Sequence, residues 1–324
     1  MTTTSYSLED LQKLHDLPFL DLVFQAASVH RKHHDPSKMQ LCTLLSIKTG
    51  GCPEDCSYCP QAARYNTDVE RHKLLEVDDV LNQAATAKMN GAERFCMGAA
   101  FREVKDNSDF DNILEMVKGV KELGMEACCT LGMLNELQAK RLKEAGLTAY
   151  NHNLDTSSEY YDEVISTRNY DDRLNTINNV SKAGISVCSG GIIGMGEKLE
   201  DRLKLLLNLA NLNPQPESVP INTLVPVPGT PLENQKPVSV FDWVRIIAIA
   251  RIILPSSMIR LSAGRLTISQ EAQSLAFMAG ANSIFTGEKL LTTGNPSTNF
   301  DLQLLEDLGM NNTFQKNTSK PVTA

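Results

Sequence analysis

Three cysteines lie close together near residue 55 and could bind one metal centre. The segment KTGGCPEDCSYCPQ places Cys52, Cys56 and Cys59 in a Cys-x3-Cys-x2-Cys arrangement. Thiolates bind iron–sulfur clusters or zinc, and the glycine and proline residues around these cysteines favour a loop that can wrap an inorganic core. Three ligands on a four-iron cluster leave one iron open, and an open coordination site indicates catalysis rather than a purely structural role.

A structural zinc site is the alternative for this loop. It would need a fourth Cys or His ligand, and His72 is the nearest candidate in the sequence. The corresponding function would be a non-catalytic, zinc-loaded module that recruits a partner protein.

A second set of thiols lies further along the chain. Cys96, Cys128 and Cys188 each fall within a strand candidate, so all three could point into one barrel. A single buried cysteine usually packs as a small apolar residue, so the prediction depends on the set. Arg260 falls in another strand candidate, where a buried guanidinium needs an anionic partner. That partner could be a metal cluster or a carboxylate of the barrel.

Polar side chains recur at every second position of the segment YNHNLDTS. Asn151, Asn153 and Asp155 would share one face of a strand. Three polar groups entering a barrel together need partners, and a bound ligand would supply them. Asn222, on a later strand candidate, could join them. In the alternative, the row faces outward under a helix, and His152 and Leu154 face inward.

These residues must be positioned by a repeated βα pattern. Short β-rich runs alternate with segments of helical periodicity, and glycines close several helical segments just before the next strand. The strand candidates are 43–47, 93–97, 126–131, 149–154, 186–192, 218–225, 258–262 and 283–286. Eight units predict an α/β protein with a (βα)8 TIM-type barrel, whose functional residues lie at the carboxyl ends of the strands. An open doubly wound sheet is the alternative.

The predicted organisation is a single domain with short terminal extensions. We expect an N-terminal helical extension over 1–40, the barrel over 41–310 and a disordered tail over 311–324, whose composition is typical of turns and disorder.

Composition narrows the class of partner. The 324 residues carry a formal net charge of −8, which argues against nucleic acid as a partner. The most apolar stretch, 246–254, contains Arg251 and is too short to span a membrane. The N-terminus lacks the features of a signal peptide, so we expect a cytoplasmic protein with reduced thiols.

The cysteine spacing, with Tyr58 before the third cysteine, resembles the signature of the radical S-adenosylmethionine superfamily. Within that superfamily, MGAA after Cys96, YNHNLDTS, VCSGGIIGMGE, PESVPIN and RLSAGR resemble the biotin synthase family. The resemblance implies conversion of dethiobiotin to biotin by radical sulfur insertion, with S-adenosylmethionine, a [4Fe-4S] cluster and a [2Fe-2S] cluster. It also implies a homodimer and an electron-donating protein of the flavodoxin or ferredoxin type.

The resemblance further implies individual roles. The [4Fe-4S] ligands are Cys52, Cys56 and Cys59. The [2Fe-2S] ligands are Cys96, Cys128, Cys188 and Arg260. The ureido ring of dethiobiotin lies among Asn151, Asn153 and Asn222. S-adenosylmethionine contacts Tyr58, Asp155, Arg173 and Ile192.

Several points have alternatives at this stage. Strand alternation allows only one of Cys128 and Cys129 to face the lumen, and the family pattern selects Cys128. Cys42 precedes the first predicted strand and is interpreted as structural. The alternative to a cofactor contact for Arg173 is an exposed arginine on a helix. Another radical enzyme of the same barrel type would keep only the first three cysteines. Lipoyl synthase needs an N-terminal cysteine motif, and no cysteine precedes Cys42.

Overall fold

Parallel strands close into a barrel in the computed structural model, which describes residues 6–312. The strands are β1 Lys38–Lys48, β2 Arg94–Ala99, β3 Glu126–Thr130, β4 Ala149–Asn151, β5 Ser186–Cys188, β6 Gly191–Ile193, β7 Ser218–Thr223, β8 Met258–Leu261, β9 Ser283–Phe285 and β10 Asn311–Asn312. Neighbouring strands pair in parallel from β1 to β9, and β1 also pairs with β9. This last pairing closes the sheet, so the (βα)8 barrel is confirmed and the open sheet is wrong.

The fifth barrel strand is split into β5 and β6, both of which pair with β7. A single strand over 186–192 was therefore an incorrect prediction. Gly190 occupies the break, where an added Cβ would lie 2.0 Å from the carbonyl oxygen of Pro220. Only glycine allows this close approach of the two backbones.

Helices surround the barrel. They are α1 Leu8–Asp16, α2 Phe19–His33, α3 Val77–Met89, α4 Ser108–Glu122, α5 Glu136–Glu144, α6 Tyr161–Val164, α7 Tyr170–Lys182, α8 Leu199–Ala210, α9 Val240–Ile253, α10 Gln270–Met278 and α11 Thr298–Asp307. Side-chain caps begin several of them, such as Asn107 on α4 and Asn169 on α7. Gly124 and Gly184 follow α4 and α7 with φ of 76° and 70°, so the glycine signals mark true helix ends.

The ends of the chain differ from the predicted boundaries. Helices α1 and α2 precede the barrel, and α2 packs against α9. Strand β1 begins at Lys38, so Cys42 lies inside the first strand rather than before it. At the other end, Asn311 pairs with Lys38, which corrects the prediction that the tail lacks structure from residue 311. Residues 313–324 lie outside the described residues.

The described residues contain three separate groups of buried side chains, one of which includes Cys56 and Tyr161. Most apolar residues of the strands and helices form one core between the barrel and the helices. A smaller group inside the barrel contains Cys42, Cys96, Cys128, Ala149 and Phe285. Within residues 6–312, no helix combines the length and apolarity needed to cross a membrane.

Candidate functional site

A cavity of about 310 Å³ opens at the carboxyl ends of the barrel strands. All fourteen predicted site residues line it, although they come from widely separated parts of the chain: Cys52, Cys56, Tyr58, Cys59, Cys96, Cys128, Asn151, Asn153, Asp155, Arg173, Cys188, Ile192, Asn222 and Arg260. The fold therefore brings both cysteine sets and the polar row to one space.

The loop that carries the first three cysteines is held in a fixed shape. Cys52 N donates to Gln61 O at 3.0 Å, and the Asp55 carboxylate accepts from the backbone N–H groups of Ser166 and Thr167 at 3.0 and 3.1 Å. Burial acts to raise the pKa of Asp55, but hydrogen bonds from Ser166 and Thr167 outweigh it and lower that pKa to about 2. An ionised Asp55 thus fastens the loop to the segment before α7.

Burial disfavours the ionised form of the three loop thiols. Burial raises the pKa of Cys52 and Cys56, and raises that of Cys59 to about 12. Binding iron would remove these protons, because thiolates are the metal ligands. Arg168 Nη2 lies 3.9 Å from Cys56 Sγ, so a cation already faces the place where negative charge would appear.

The geometry does not favour the zinc alternative. His72 pairs with Thr49 through the backbone, and its side chain is 57% exposed beside Glu70. Within residues 6–312, no three His, Cys, Asp or Glu side chains converge on one point as a single ion requires.

The second thiol set lies deeper in the lumen. Cys96 and Cys128 face each other in register on β2 and β3. A hydrogen bond from the Cys96 thiol lowers the pKa of Cys128. On the next two strands, β4 and β5, Asn151 Nδ2 lies 3.3 Å from Cys188 Sγ. Cys129 packs in the outer core instead, so the two neighbouring cysteines occupy opposite faces of β3.

Arg260 is 1% exposed and has no carboxylate within salt-bridge distance among the described residues. Its Nε donates to Ser283 Oγ at 2.9 Å, and its Nη1 lies 3.6 Å from Cys188 Sγ. The barrel carboxylates Glu126 and Glu217 pair with Arg94 instead. The expected alternative, a salt bridge of Arg260 to a barrel carboxylate, is therefore wrong. A buried cation beside three thiols fits an anionic cluster.

The polar row reaches the cavity, although not along one strand. Strand β4 ends at Asn151, so Asn153 and Asp155 lie in the loop that follows, and Asp155 adopts a φ of 68°. Asn153 Oδ1 accepts from Asn151 Nδ2 at 2.9 Å, while Asn153 Nδ2 makes no hydrogen bond within residues 6–312. Leu154 belongs to the outer core, which contradicts the outward-facing alternative.

Asn222 differs from the other two asparagines. Its Nδ2 donates to Gly191 O and its Oδ1 accepts from Ala263 N, both at 3.0 Å. The side chain therefore joins β6 to the residues after β8 while it lines the cavity.

Arg173 is 4% exposed, so its interpretation as a surface arginine is wrong. The guanidinium contacts the Asp155 carboxylate and donates to Tyr161 Oη at 2.9 Å and Asn153 O at 2.8 Å. Tyr58 Oη donates to the same Asp155 oxygen, Oδ2, at 2.8 Å. These contacts fix the carboxylate from two sides, and no side chain or backbone group of residues 6–312 donates to its Oδ1, which can accept from a ligand.

Sequence reasoning missed several residues of the cavity wall. Arg168, Glu54 and Thr130 line it, as do residues 290–293 after β9. Glu54 lies between two cysteine ligand positions, which was an available signal. Residues 290–293 carry no charged or metal-binding side chain, so neither residue type nor spacing marked them. Their one signal was their position after a barrel strand.

Comparisons with known proteins identify the family. Residues 46–209 match the model of the radical SAM superfamily, and residues 220–311 match the Biotin and Thiamin Synthesis associated domain. The chain is 62% identical over 306 residues to biotin synthase of Cytophaga hutchinsonii, covering 94% of this chain and 91% of the relative. It is 64% identical over 305 residues to biotin synthase of Myxococcus xanthus, covering 94% and 88%. The chain belongs to the biotin synthase family.

Solved structures support the fold of this biotin synthase family member. Methylornithine synthase superposes with a TM-score of 0.81 at 21% identity, covering 95% of this chain and 94% of that chain. The FeFe-hydrogenase maturase HydG from Carboxydothermus hydrogenoformans also gives 0.81 at 19% identity, covering 97% and 77%. At these identities the likeness concerns the barrel alone.

Membership in the biotin synthase family implies S-adenosylmethionine, a [4Fe-4S] cluster and a [2Fe-2S] cluster. The residues present fit these groups. Three loop thiols suit the first cluster, and the lumen thiols with Arg260 suit the second. Ser218 Oγ and His152 Nε2 are buried without a hydrogen-bond partner, which indicates that a bound group completes this interior.

Proposed function

We infer that the chain converts dethiobiotin to biotin by radical insertion of sulfur, as a sulfurtransferase that uses S-adenosylmethionine. One observation carries the inference: a single cavity contains both a loop of three thiols and a second set of three thiols with a buried arginine. Curated relatives about 60% identical over most of the chain support it. A radical enzyme with a different reaction would not need the second set.

We assign the [4Fe-4S] cluster to Cys52, Cys56 and Cys59. When bound, this cluster and S-adenosylmethionine supply a carbon-centred radical that removes hydrogen from unactivated C–H bonds. The chain's own contribution is to hold the cofactor still and to keep water out. The fixed loop, with Asp55 bound to Ser166 and Thr167, supports this assignment.

We assign the cofactor contacts to the residues around Asp155. Its free Oδ1 suits a ribose hydroxyl, because an ionised carboxylate oxygen accepts strong hydrogen bonds. Arg173 supplies positive charge at the same wall, and Tyr58 and Ile192 complete it. Arg173 is already occupied by protein groups, so its direct contact with the cofactor carboxylate would require an exchange of partners.

We assign dethiobiotin to the space bordered by the asparagines. A cyclic urea presents one carbonyl acceptor and two N–H donors, and asparagine side chains complement both. Asn153 Nδ2 is free to donate to the carbonyl, whereas Asn151 and Asn222 already use their amide groups within the protein. The three residues would hold the ring while its side chain extends toward the lumen.

We assign the [2Fe-2S] cluster to Cys96, Cys128, Cys188 and Arg260, with a bridging sulfide as the sulfur that enters the product. The depth of this set below the polar row supports the assignment, because the substrate then lies between the two cysteine sets. Arg260 balances the negative charge that the thiolates and sulfides bring into the lumen.

Neighbouring cysteines on β3 provide a sharp test. Cys128→Ala and Cys129→Ala remove the same atom from equally buried positions on opposite faces of one strand. After anaerobic reconstitution, Mössbauer spectroscopy of wild type should show a four-iron and a two-iron cluster. We expect Cys128→Ala to lose only the two-iron signal and biotin formation, and Cys129→Ala to keep both. A single four-iron cluster in wild type would refute the proposed reaction.

We also propose a cytoplasmic homodimer that receives electrons from a flavodoxin- or ferredoxin-type protein. Support comes from membership in the biotin synthase family. Sedimentation analysis tests the oligomeric state, and reduction of the four-iron cluster by a purified flavodoxin tests the donor.

A further inference from the structure

Cys42 lies inside the barrel beside the lumen thiols, and the proposed function gives it no role. Its side chain is fully buried in one group with Cys96, Cys128 and Phe285, apart from the outer core. Alternation along β1 turns Cys42 and Leu44 to the same face, and Leu44 lines the cavity. Cys42 is therefore a fourth thiol of the lumen, one layer below the cavity wall.

The Cys42 thiol and the Arg260 guanidinium share one neighbour, the Ser283 hydroxyl. Cys42 Sγ lies 3.8 Å from Ser283 Oγ, and Arg260 Nε donates to the same oxygen at 2.9 Å. Ser283 Oγ in turn donates to Gln40 Oε1 at 2.9 Å. The 3.8 Å contact with Ser283 is the one hydrogen bond of the Cys42 thiol within residues 6–312, so the thiol is weakly held and lies on the Arg260 side of the set.

A buried hydroxyl without a partner lies in the same interior. Ser218 on β7 is fully buried, and its Oγ has no hydrogen-bond partner. Pro220 and Asn222, which alternate with it on one face of β7, line the cavity. An unpaired buried hydroxyl costs free energy, so the lumen is arranged for a group that the chain itself does not supply. Sulfur atoms of a cluster could accept this hydrogen bond.

We propose that Cys42 is a reserve ligand of the two-iron cluster, able to bind the iron on the Arg260 side when the guanidine does not hold it. This rests on the proposed function. In the exchange, a Cys42 sulfur–iron bond forms and the Arg260 nitrogen–iron bond breaks. The thiol proton passes to the departing guanidine, whose Nε donates to Ser283 Oγ, and no electron is transferred. Thiolate is a softer ligand for iron than guanidine.

The exchange would matter during turnover. A cluster that gives up a sulfide keeps fewer bonds to the protein, and a fourth thiol within the lumen would retain its iron until sulfide is replaced. In the assigned ligand set Cys188 lies beside Arg260, 3.6 Å from its Nη1, and Cys42 would add a second thiol on that side.

Three variants test the proposal by metal binding rather than by activity. Arg260→Met removes the nitrogen ligand and puts an unbranched apolar side chain in its place. We expect it to retain the two-iron cluster, with Mössbauer parameters shifted toward those of a site with four thiolates. Adding Cys42→Ala should lower two-iron occupancy by at least about tenfold. Adding Cys129→Ala instead should leave that occupancy unchanged, because Cys129 faces the outer core.

The four-iron cluster in each variant reports whether the barrel has folded. The double variant with Cys42→Ala could lose the four-iron cluster too. In that case Cys42→Ser replaces Cys42→Ala, because the volume of serine is closer to that of cysteine. Equal two-iron occupancy in the two double variants would overturn the proposal, as would its complete loss in Arg260→Met alone. Absence of the two-iron cluster from wild type would instead overturn the proposed function on which it rests.

Discussion

Tyr58 and Asp155 are joined by a 2.8 Å hydrogen bond from the tyrosine hydroxyl to Oδ2 of the carboxylate. Tyr58 belongs to the cluster loop and Asp155 to the loop after β4, so the contact crosses the mouth of the cavity. Asp155 is the one described residue other than glycine with a positive φ. Its unusual backbone aims the carboxylate at both Tyr58 and Arg173.

Tyr58→Phe should weaken S-adenosylmethionine binding without loss of the four-iron cluster. The substitution removes one of the two groups that orient Asp155 and leaves the three thiols in place. We expect the Kd to rise by up to about tenfold, which corresponds to about 1.4 kcal/mol. Calorimetric titration of the reconstituted protein measures it.

Tyr170→Phe is the matched control, since its hydroxyl pairs with Asn208 rather than with Asp155. An equal loss of affinity in both variants would argue against the role of Tyr58.

Asn153→Ala should weaken dethiobiotin binding. Asn153 Nδ2 is free to donate to the ureido carbonyl, and an unmet buried acceptor on the substrate costs about 1–3 kcal/mol. We expect a rise in Kd of roughly tenfold or more, measured by equilibrium dialysis with S-adenosylmethionine present. Asn178→Ala, an exposed change on α7, serves as the control. Unchanged affinity in Asn153→Ala would place the ring elsewhere.

Asp301→Ala should destabilise the barrel. Asp301 on α11 is paired with Arg265, which follows β8, and both side chains are 1% exposed. Removing the carboxylate leaves a buried cation, which typically costs about 3–5 kcal/mol. Urea unfolding measures the loss. Asp307→Ala, on the exposed end of the same helix, should change the free energy of unfolding little; comparable losses in the two variants would contradict the importance of the pair.

Acid should destabilise the fold through His30 on α2. Burial, with help from Arg251, lowers the pKa of His30 to about 3 from an ordinary value of 6.5. Between these values the unfolded chain binds a proton that the folded chain excludes, so stability falls as pH decreases through this window. His30→Leu should therefore unfold with a smaller difference in urea midpoint between pH 7 and pH 5 than wild type does.

The exposed variant His72→Leu controls for this measurement, because both variants share the acid lability of any bound cluster. A wild-type pH dependence in His30→Leu would assign the acid sensitivity to other groups.

Much of the barrel follows from local pattern. Segment 77–89 has helical periodicity and is followed by Gly91, a pattern that predicts a helix. Helix α3 has the same bounds, Val77–Met89. The break between β5 and β6 could not be predicted, because it depends on contact between Gly190 and Pro220, which are thirty residues apart. The ends of strands are hard to predict for a related reason. Strand β4 ends at Asn151 because its partner β5 also ends there, at Cys188.

The site shows the same division. Cysteine spacing and the biotin synthase motifs identified the residues that line the cavity, yet the state of each side chain depends on tertiary neighbours. The sequence pattern around Arg173 is typical of an exposed helical residue. In the structure its side chain is buried, because Asp155 and Tyr161 supply partners for the guanidinium. Cys42 reads as an isolated apolar residue until β1 and β9 close the barrel around it.

The pairing of Arg94 with Glu126 and Glu217 has a consequence for traffic through the enzyme. These side chains lie at the amino ends of the strands, below the lumen thiols, and Arg94 is almost wholly buried among them. The described residues therefore seal the barrel at that end. Substrate and product would then share the opening at the carboxyl ends of the strands, and iron and sulfide for a new cluster would enter there as well. Product would therefore have to leave the cavity before a new cluster could be built there.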